Sequence, residues 1–124
     1  WEGWSLLARD QQRLIDLIRR KSANGVVFLS GDMHYAELSQ LDVNVPYTLW
    51  DLTSSGLTEV WPAATPNANR VSDVIREPNF GLIEIDWQGA QTTVTLSVMD
   101  QRGTRRIEKR LPLAELSAWP VDRP

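Results

Sequence analysis

The sequence predicts a mixed α/β fold in which one long N-terminal helix precedes a sheet that is mostly antiparallel or mixed. Apolar residues recur at helical spacing near the start of the chain. A helix-ending Asn24-Gly25 pair then leads directly into an apolar run at residues 26–29, which is half of a βαβ pattern. The last third alternates between apolar and polar residues over three stretches, which is typical of antiparallel strands with one solvated face.

The composition is that of a globular domain rather than of a disordered chain. The chain has 124 residues, of which 42% are hydrophobic and 23% charged, and its net charge is −3. Both signs of charge are spread along the chain, so we expect no nucleic acid and no membrane as a partner. Disulfides and thiolate metal sites are excluded because there is no cysteine. The abrupt start at Trp1, without an initiator methionine, favours a piece of a longer protein.

The first half of the chain predicts one helix and three strand-like elements. Ser5 is a candidate N-cap for an amphipathic helix of about four turns that begins at Leu6. The apolar face of this helix consists of Leu7, Leu14, Ile15 and Ile18. Residues 26–29 predict a strand buried on both faces, because the run is apolar throughout. Residues 35–41 predict a strand or a short helix, and residues 47–52 predict a strand.

The second half predicts a long irregular stretch followed by three strands. Residues 53–58 are mostly small and polar and form a candidate site loop, and residues 59–79 are irregular apart from a helical turn expected at 71–77. Alternating strands follow at 80–87, 93–99 and 105–111. Their apolar positions are Ile83, Ile85, Trp87, Val94, Leu96, Val98, Ile107 and Leu111. We expect residues 112–124 to be a short turn and a tail.

Asp32 and His34 are the strongest candidates for chemistry. They follow the predicted strand at 26–29, and open α/β sheets place their sites beyond the carboxyl ends of strands. Mn, Fe and Zn accept both carboxylate and imidazole ligands, so the pair is compatible with a metal site. Three protein ligands are the usual minimum, and the pair alone does not define such a site. The structural alternative is a His34 that is hydrogen-bonded to the backbone, with Asp32 capping a turn.

A serine nucleophile is a second enzymatic interpretation. Ser54 or Ser55 could attack a substrate, with His34 as the base. Asp32 or Asp51 would then orient the imidazole. The Gly-x-Ser-x-Gly elbow that exposes such a serine is absent, and turn chemistry explains the serine pair equally well.

The irregular stretch contains candidates for binding an anionic substrate. Arg70 could contact a phosphate group in a bidentate manner, with Asn67 beside it. Loop turns made by asparagine side chains are the alternative. One local excess of basic residues comprises Arg102, Arg105, Arg106, Lys109 and Arg110, and we expect a solvated strand face there rather than a binding patch.

Three stretches of the chain together resemble PhoD-like alkaline phosphatases, a branch of the calcineurin-like metallophosphoesterases. Residues 26–38, with the sequence VVFLSGDMHYAEL, resemble the last metal-binding motif of that family. Residues 52–58, LTSSGLT, are similar to the segment after the motif, and residues 79–86, NFGLIEID, resemble the next strand. The preceding helix also fits, so the resemblance covers residues 1–111 in order.

The resemblance implies that Asp32 and His34 bind one side of a centre of two divalent or trivalent metal ions, which would be Fe, Ca, Mn or Zn. Most of the superfamily has Gly-His-x-His at this point, and Asp32 takes the place of the first histidine. The other metal motifs of the family, Asp-x-His, Gly-Asp-x-x-Asp and Gly-Asn-His-Asp/Glu, are absent from this sequence. The pocket residues expected nearby, which have no direct counterpart in the motif, are Ser54, Ser55, Asn67 and Arg70.

The function implied is that of a metal-dependent phosphoric ester hydrolase, an alkaline phosphatase or phosphodiesterase, in which a metal-activated hydroxide attacks the phosphorus of a phosphate ester. Residues 1–124 would be the C-terminal half of a two-sheet metallophosphoesterase sandwich. They would pack against the rest of their own catalytic domain and be inactive alone. The family suggests an extracytoplasmic, periplasmic or secreted location. The alternative is a non-catalytic, β-rich accessory or interaction module in which His34 is structural.

Overall fold

Over residues 4–119, which the computed structural model describes, the chain folds into one α-helix and two three-stranded sheets. A 3-10 turn at Trp4–Leu7 precedes α1 at Ala8–Arg20. The strands are β1 Val27–Ser30, β2 Ala36–Leu41, β3 Leu49–Ser54, β4 Asn79–Asp86, β5 Thr93–Asp100 and β6 Arg105–Pro112, and a second 3-10 turn follows at Leu113–Leu116. This mixed, mostly β architecture confirms the predicted α/β class.

Helix α1 buries one narrow face. Ile15 and Ile18 are buried and Leu14 is partly buried, as predicted, whereas Leu7 is largely exposed. The α-helix begins two residues later than predicted because a 3-10 turn occupies its expected start, and Leu7 provides no side-chain cap. No helix within residues 4–119 is long and apolar enough to cross a membrane.

The first sheet is mixed and brings two loops to the same edge. Its strand order is β1–β3–β2, with β1 parallel and β2 antiparallel to β3. Residues 36–41 therefore form a strand, which settles the predicted choice between strand and short helix. Ser30 at the end of β1 lies opposite Thr53 near the end of β3. Because parallel strands end at the same edge, the segments that follow β1 and β3 start side by side.

The long segment between β3 and β4 follows the outer edge of β2. Single antiparallel bridges join Ala36 to Ile75 and Ser39 to Arg70. The predicted helical turn at residues 71–77 is therefore wrong, since this stretch contains a bridge and no helix. The edge of β2 presents backbone N–H and C=O groups that need partners, and the segment supplies them while burying Ile75.

The second sheet is the predicted antiparallel meander, with strand order β4–β5–β6. The predicted apolar positions of β5 and β6 are buried, namely Val94, Leu96, Val98, Ile107 and Leu111. On the other face Arg105 forms ion pairs with Glu84 at 3.0 Å and with Glu108 at 2.7 Å. Acidic partners thus neutralise this part of the basic cluster, in agreement with a solvated strand face.

The two sheets pack against each other through one continuous cluster of buried side chains. They contact each other at Gly81, where a Cβ atom would lie 3.4 Å from Ser54 Cβ and 3.5 Å from Leu52 Cδ2. The ammonium group of Lys109 lies 4.7 Å from the centre of the Trp50 ring, in a cation–π contact. Strand β4 therefore passes over the end of β3, close to the loop that follows it.

Two strands are more exposed than predicted. Strand β1 is not buried on both faces, since Leu29 is 64% exposed and Val27 and Phe28 are only half-buried. The predicted apolar positions Ile83 and Ile85 in β4, and Trp87 directly after it, are exposed as well. These exposed side chains lie outside the buried cluster that joins the two sheets, so that over residues 4–119 no packed layer covers them.

The C-terminal segment packs against the domain as far as residue 119. Leu116 is fully buried, and its C=O group accepts a hydrogen bond from the Gly25 N–H at 2.8 Å. The Trp119 ring meets the Tyr47 ring edge-on, with centroids 6.5 Å apart. The tail predicted for residues 112–124 is thus packed structure over 112–119, and residues 120–124 lie outside the described residues.

Candidate metal site

The turn after β1 holds both predicted metal ligands in a left-handed backbone conformation. Asp32 has φ 66° and His34 has φ 56°. Few residues other than glycine adopt positive φ, although aspartate, asparagine and histidine do so more often than the rest. Each such position costs about 1–3 kcal/mol, and positions of this kind cluster at functional sites. The sequence signal for this geometry is weak, because neither residue is glycine.

The loops after β1 and β3 fix the backbone of His34 from two sides. Its N–H group donates a hydrogen bond to Ser55 Oγ at 2.9 Å. Its C=O group accepts one from the Trp61 N–H, also at 2.9 Å. The imidazole and indole centroids are 5.5 Å apart, with the two rings inclined at 48°. These contacts place the imidazole at the sheet edge that the parallel β1–β3 pair defines.

The imidazole of His34 has one unsatisfied nitrogen. The side chain is 29% exposed, but its Nδ1 atom is buried and has no hydrogen-bond partner. The nearest acidic oxygen is Glu59 Oε2 at 3.7 Å, which is longer than a hydrogen bond. Glu59 itself is mostly exposed, so its carboxylate lies at the rim of the site.

Asp32 and His34 fit the part of a metal site that the sequence assigns to them. The Asp32 side chain is exposed and forms no hydrogen bond or ion pair with residues 4–119. Mn, Fe and Zn accept both carboxylate and imidazole ligands. The described part of the chain holds no group of three or more His, Cys, Asp or Glu side chains placed to bind a metal. The two predicted ligands alone fall short of the three protein ligands that are usual at a metal site.

The two candidate serines have different environments. Ser55 contacts the His34 backbone, as described above. The Ser54 hydroxyl donates to Asn79 Oδ1 at 2.9 Å, within a contact between β3 and β4. Among the described residues neither serine is hydrogen-bonded to the His34 ring. The nucleophile–base contact of a serine mechanism is therefore not formed here.

Asn67 and Arg70 surround a buried carboxylate instead of facing the Asp32–His34 turn. Glu37 is 4% exposed and accepts a hydrogen bond from Arg70 Nε at 2.6 Å. It also accepts one from Asn67 Nδ2 at 2.5 Å, and the same amide group donates to Ser39 Oγ at 2.8 Å. Sequence reasoning missed Glu37, although an acidic residue between apolar neighbours in a predicted strand is a signal that a partner is needed.

A second carboxylate lies on the same face of the first sheet. The Ser30 hydroxyl contacts both carboxylate oxygens of Asp51, at 2.7 and 2.8 Å. Burial raises the pKa of Asp51, the Ser30 hydrogen bond lowers it, and the negative charge of Glu37 raises it, so that the net change is upward. Asp51 is thus tied to β1 and not to His34.

The chain was compared with models of protein families, with curated proteins and with solved structures, and none of the three comparisons gave a match.

Proposed function

We propose that the chain carries the last ligand pair of a two-metal phosphoesterase centre, within a metal-dependent phosphoric ester hydrolase of the PhoD-like type. The observation that carries the proposal is the turn after β1. It holds Asp32 and His34 in a left-handed conformation, and within residues 4–119 no hydrogen bond or ion pair occupies the Asp32 carboxylate. Left-handed backbone at residues other than glycine clusters at functional sites.

The resemblance of three stretches supplies the reaction class, and the fold is compatible with it. A mixed sheet, a closely packed antiparallel sheet and two apolar edge strands are what half of a two-sheet sandwich would present. The remaining metal ligands and the residue that protonates the leaving group would then come from the rest of that catalytic domain.

In this mechanism Asp32 presents a carboxylate oxygen and His34 an imidazole nitrogen to the metal pair. When bound, the two ions supply a hydroxide near neutral pH and neutralise the charge that develops on the phosphoryl oxygens. The Ser55 hydroxyl oxygen accepts a hydrogen bond from the His34 N–H group and so fixes the backbone there. The Ser55 hydroxyl proton is not used by any hydrogen bond within residues 4–119 and is available to donate to a phosphate oxygen.

The test is metal content combined with hydrolysis of an aryl phosphate ester by the full-length protein. Asp32→Ala and His34→Ala should each reduce bound Fe, Mn, Zn or Ca and abolish hydrolysis. Asp42→Ala is the matched control, because Asp42 is exposed and unpaired among the described residues, and it should change neither quantity. If both site variants keep metal and activity, the assignment is wrong and a β-rich interaction module with a structural His34 is favoured.

A further inference from the structure

We propose that Glu59 and Trp61 are positioning residues for His34. Glu59 accepts a hydrogen bond from Nδ1–H, so that Nε2 keeps its lone pair for a metal ion. The contacts that orient the ring lie within this chain, whereas the metal-binding role of the oriented ring rests on the proposed function.

The argument begins with the buried Nδ1 atom of His34. A nitrogen that neither water nor protein satisfies costs about 1–3 kcal/mol. Glu59 Oε2 is 3.7 Å away and lies on a side chain that is 70% exposed. An exposed carboxylate can rotate toward its neighbour at low cost, and a small rotation converts this approach into a hydrogen bond.

Trp61 also contacts His34, through its backbone and through its ring. Its backbone N–H is bonded to the His34 C=O group, and its indole packs against the imidazole at 5.5 Å. Glu59 and Trp61 lie two positions apart on a segment without regular secondary structure. The hydrogen bond between the Trp61 N–H and the His34 C=O group therefore brings both the Glu59 carboxylate and the Trp61 ring close to the imidazole.

The position of Glu59 matters because it decides which ring nitrogen of His34 carries the proton. Only one ring nitrogen of a neutral histidine is protonated, and the hydrogen bond made by that nitrogen decides which one it is. Histidines that bind metals commonly donate their second ring N–H to a carboxylate, which fixes the tautomer and the ring plane. With Nδ1 buried on the side of Glu59, Nε2 is the nitrogen left for a ligand role.

The sequence makes the tautomer directly measurable, because His34 is the sole histidine. Long-range ¹H–¹⁵N NMR of the ¹⁵N-labelled, metal-free protein, at a pH where the imidazole is neutral, should show the Nδ1–H form predominating. Glu59→Ala should shift the population toward Nε2–H, and Glu59→Gln, which keeps an acceptor oxygen, should restore much of the Nδ1–H form. Glu115→Ala, which removes another exposed and unpaired glutamate of the described chain, should leave the tautomer unchanged.

Zinc titration of the same variants separates this proposal from the proposed function. Glu59→Ala should weaken Zn²⁺ binding by about 10–100-fold, and Glu115→Ala should not. An unchanged tautomer in Glu59→Ala would overturn the proposal, and so would a changed tautomer with unchanged zinc affinity. If the full-length protein binds no zinc, manganese or iron, the proposed function fails, and the tautomer populations alone decide whether Glu59 orients the ring.

Discussion

Gly56 is the position where the structure leaves no room for a side chain. A Cβ atom there would collide with Asn79 Nδ2 and would lie 3.1 Å from Val60 Cγ1. Asn79 is only 1% exposed. It cannot move away easily, because its amide donates to the Glu77 C=O group at 2.8 Å and accepts from the Ser54 hydroxyl. Its backbone N–H is also bonded to the Gly56 C=O group at 3.1 Å.

Gly56→Ala should therefore lower the free energy of unfolding by about 2–5 kcal/mol. Displacing the Asn79 amide breaks two side-chain hydrogen bonds, each with a net value of about 1 kcal/mol. Leaving any of the separated groups buried without a partner adds about 1–3 kcal/mol. The backbone of Gly56 is not left-handed, so the loss is steric and not conformational.

The assay is urea unfolding of Gly56→Ala with Gly81→Ala as the matched control. An added Cβ atom at Gly81 meets its neighbours at ordinary van der Waals distances, so this variant should stay within about 1 kcal/mol of wild type. The loss at Gly56 should also shrink in an Asn79→Ala background, because the colliding amide is then absent. A Gly56→Ala protein as stable as the Gly81 control would refute the reasoning.

Two further predictions concern the polar face of the first sheet. In thermal melts, Arg70→Ala should lower the free energy of unfolding by about 3–5 kcal/mol, because it leaves the buried Glu37 carboxylate without its guanidinium partner. Arg76→Ala, at an exposed position that is unpaired among the described residues, should have little effect in the same measurement. Weakened phosphate binding by Arg70→Ala at unchanged stability would instead support the substrate role predicted from the sequence. Burial raises the pKa of Asp51, so the folded state binds the carboxyl proton more tightly than the unfolded state does. The free energy of unfolding should therefore fall as the pH rises from the ordinary pKa of a carboxyl group through the raised pKa of Asp51. Asp51→Asn, which keeps an acceptor for Ser30, should flatten this decline in urea unfolding across pH, and an unaltered pH profile would contradict the raised pKa.

The regular elements were predictable where periodicity alone decides them. The meander from β4 to β6 follows from alternation between turn signals, and the buried positions Val94, Leu96 and Val98 follow from the same pattern. The extended path of residues 71–77 did not follow, because it depends on pairing with β2, a partner distant in sequence. The exposure of Leu29 did not follow either, since an apolar run reports composition and not the number of neighbouring strands.

The candidate site was predictable only in part. The order of strand, glycine, Asp32 and His34 placed the pair at a strand end, and the structure does place it there. The left-handed conformation, the Ser55 contact and the approach of Glu59 all depend on how the loop after β3 meets the turn after β1. The same limit applies to Arg70, whose partner Glu37 is revealed only by tertiary packing.

The left-handed backbone also restricts which residues positions 32 and 34 can carry. A metal would accept aspartate, glutamate, histidine or cysteine as a ligand. The backbone at positions 32 and 34, with φ 66° and 56°, favours aspartate, asparagine, histidine or glycine. Aspartate and histidine satisfy both requirements, whereas glutamate and cysteine satisfy only the first. Replacing His34 with glutamate or cysteine to change the preferred metal would therefore meet resistance from the main chain before any question of coordination arises.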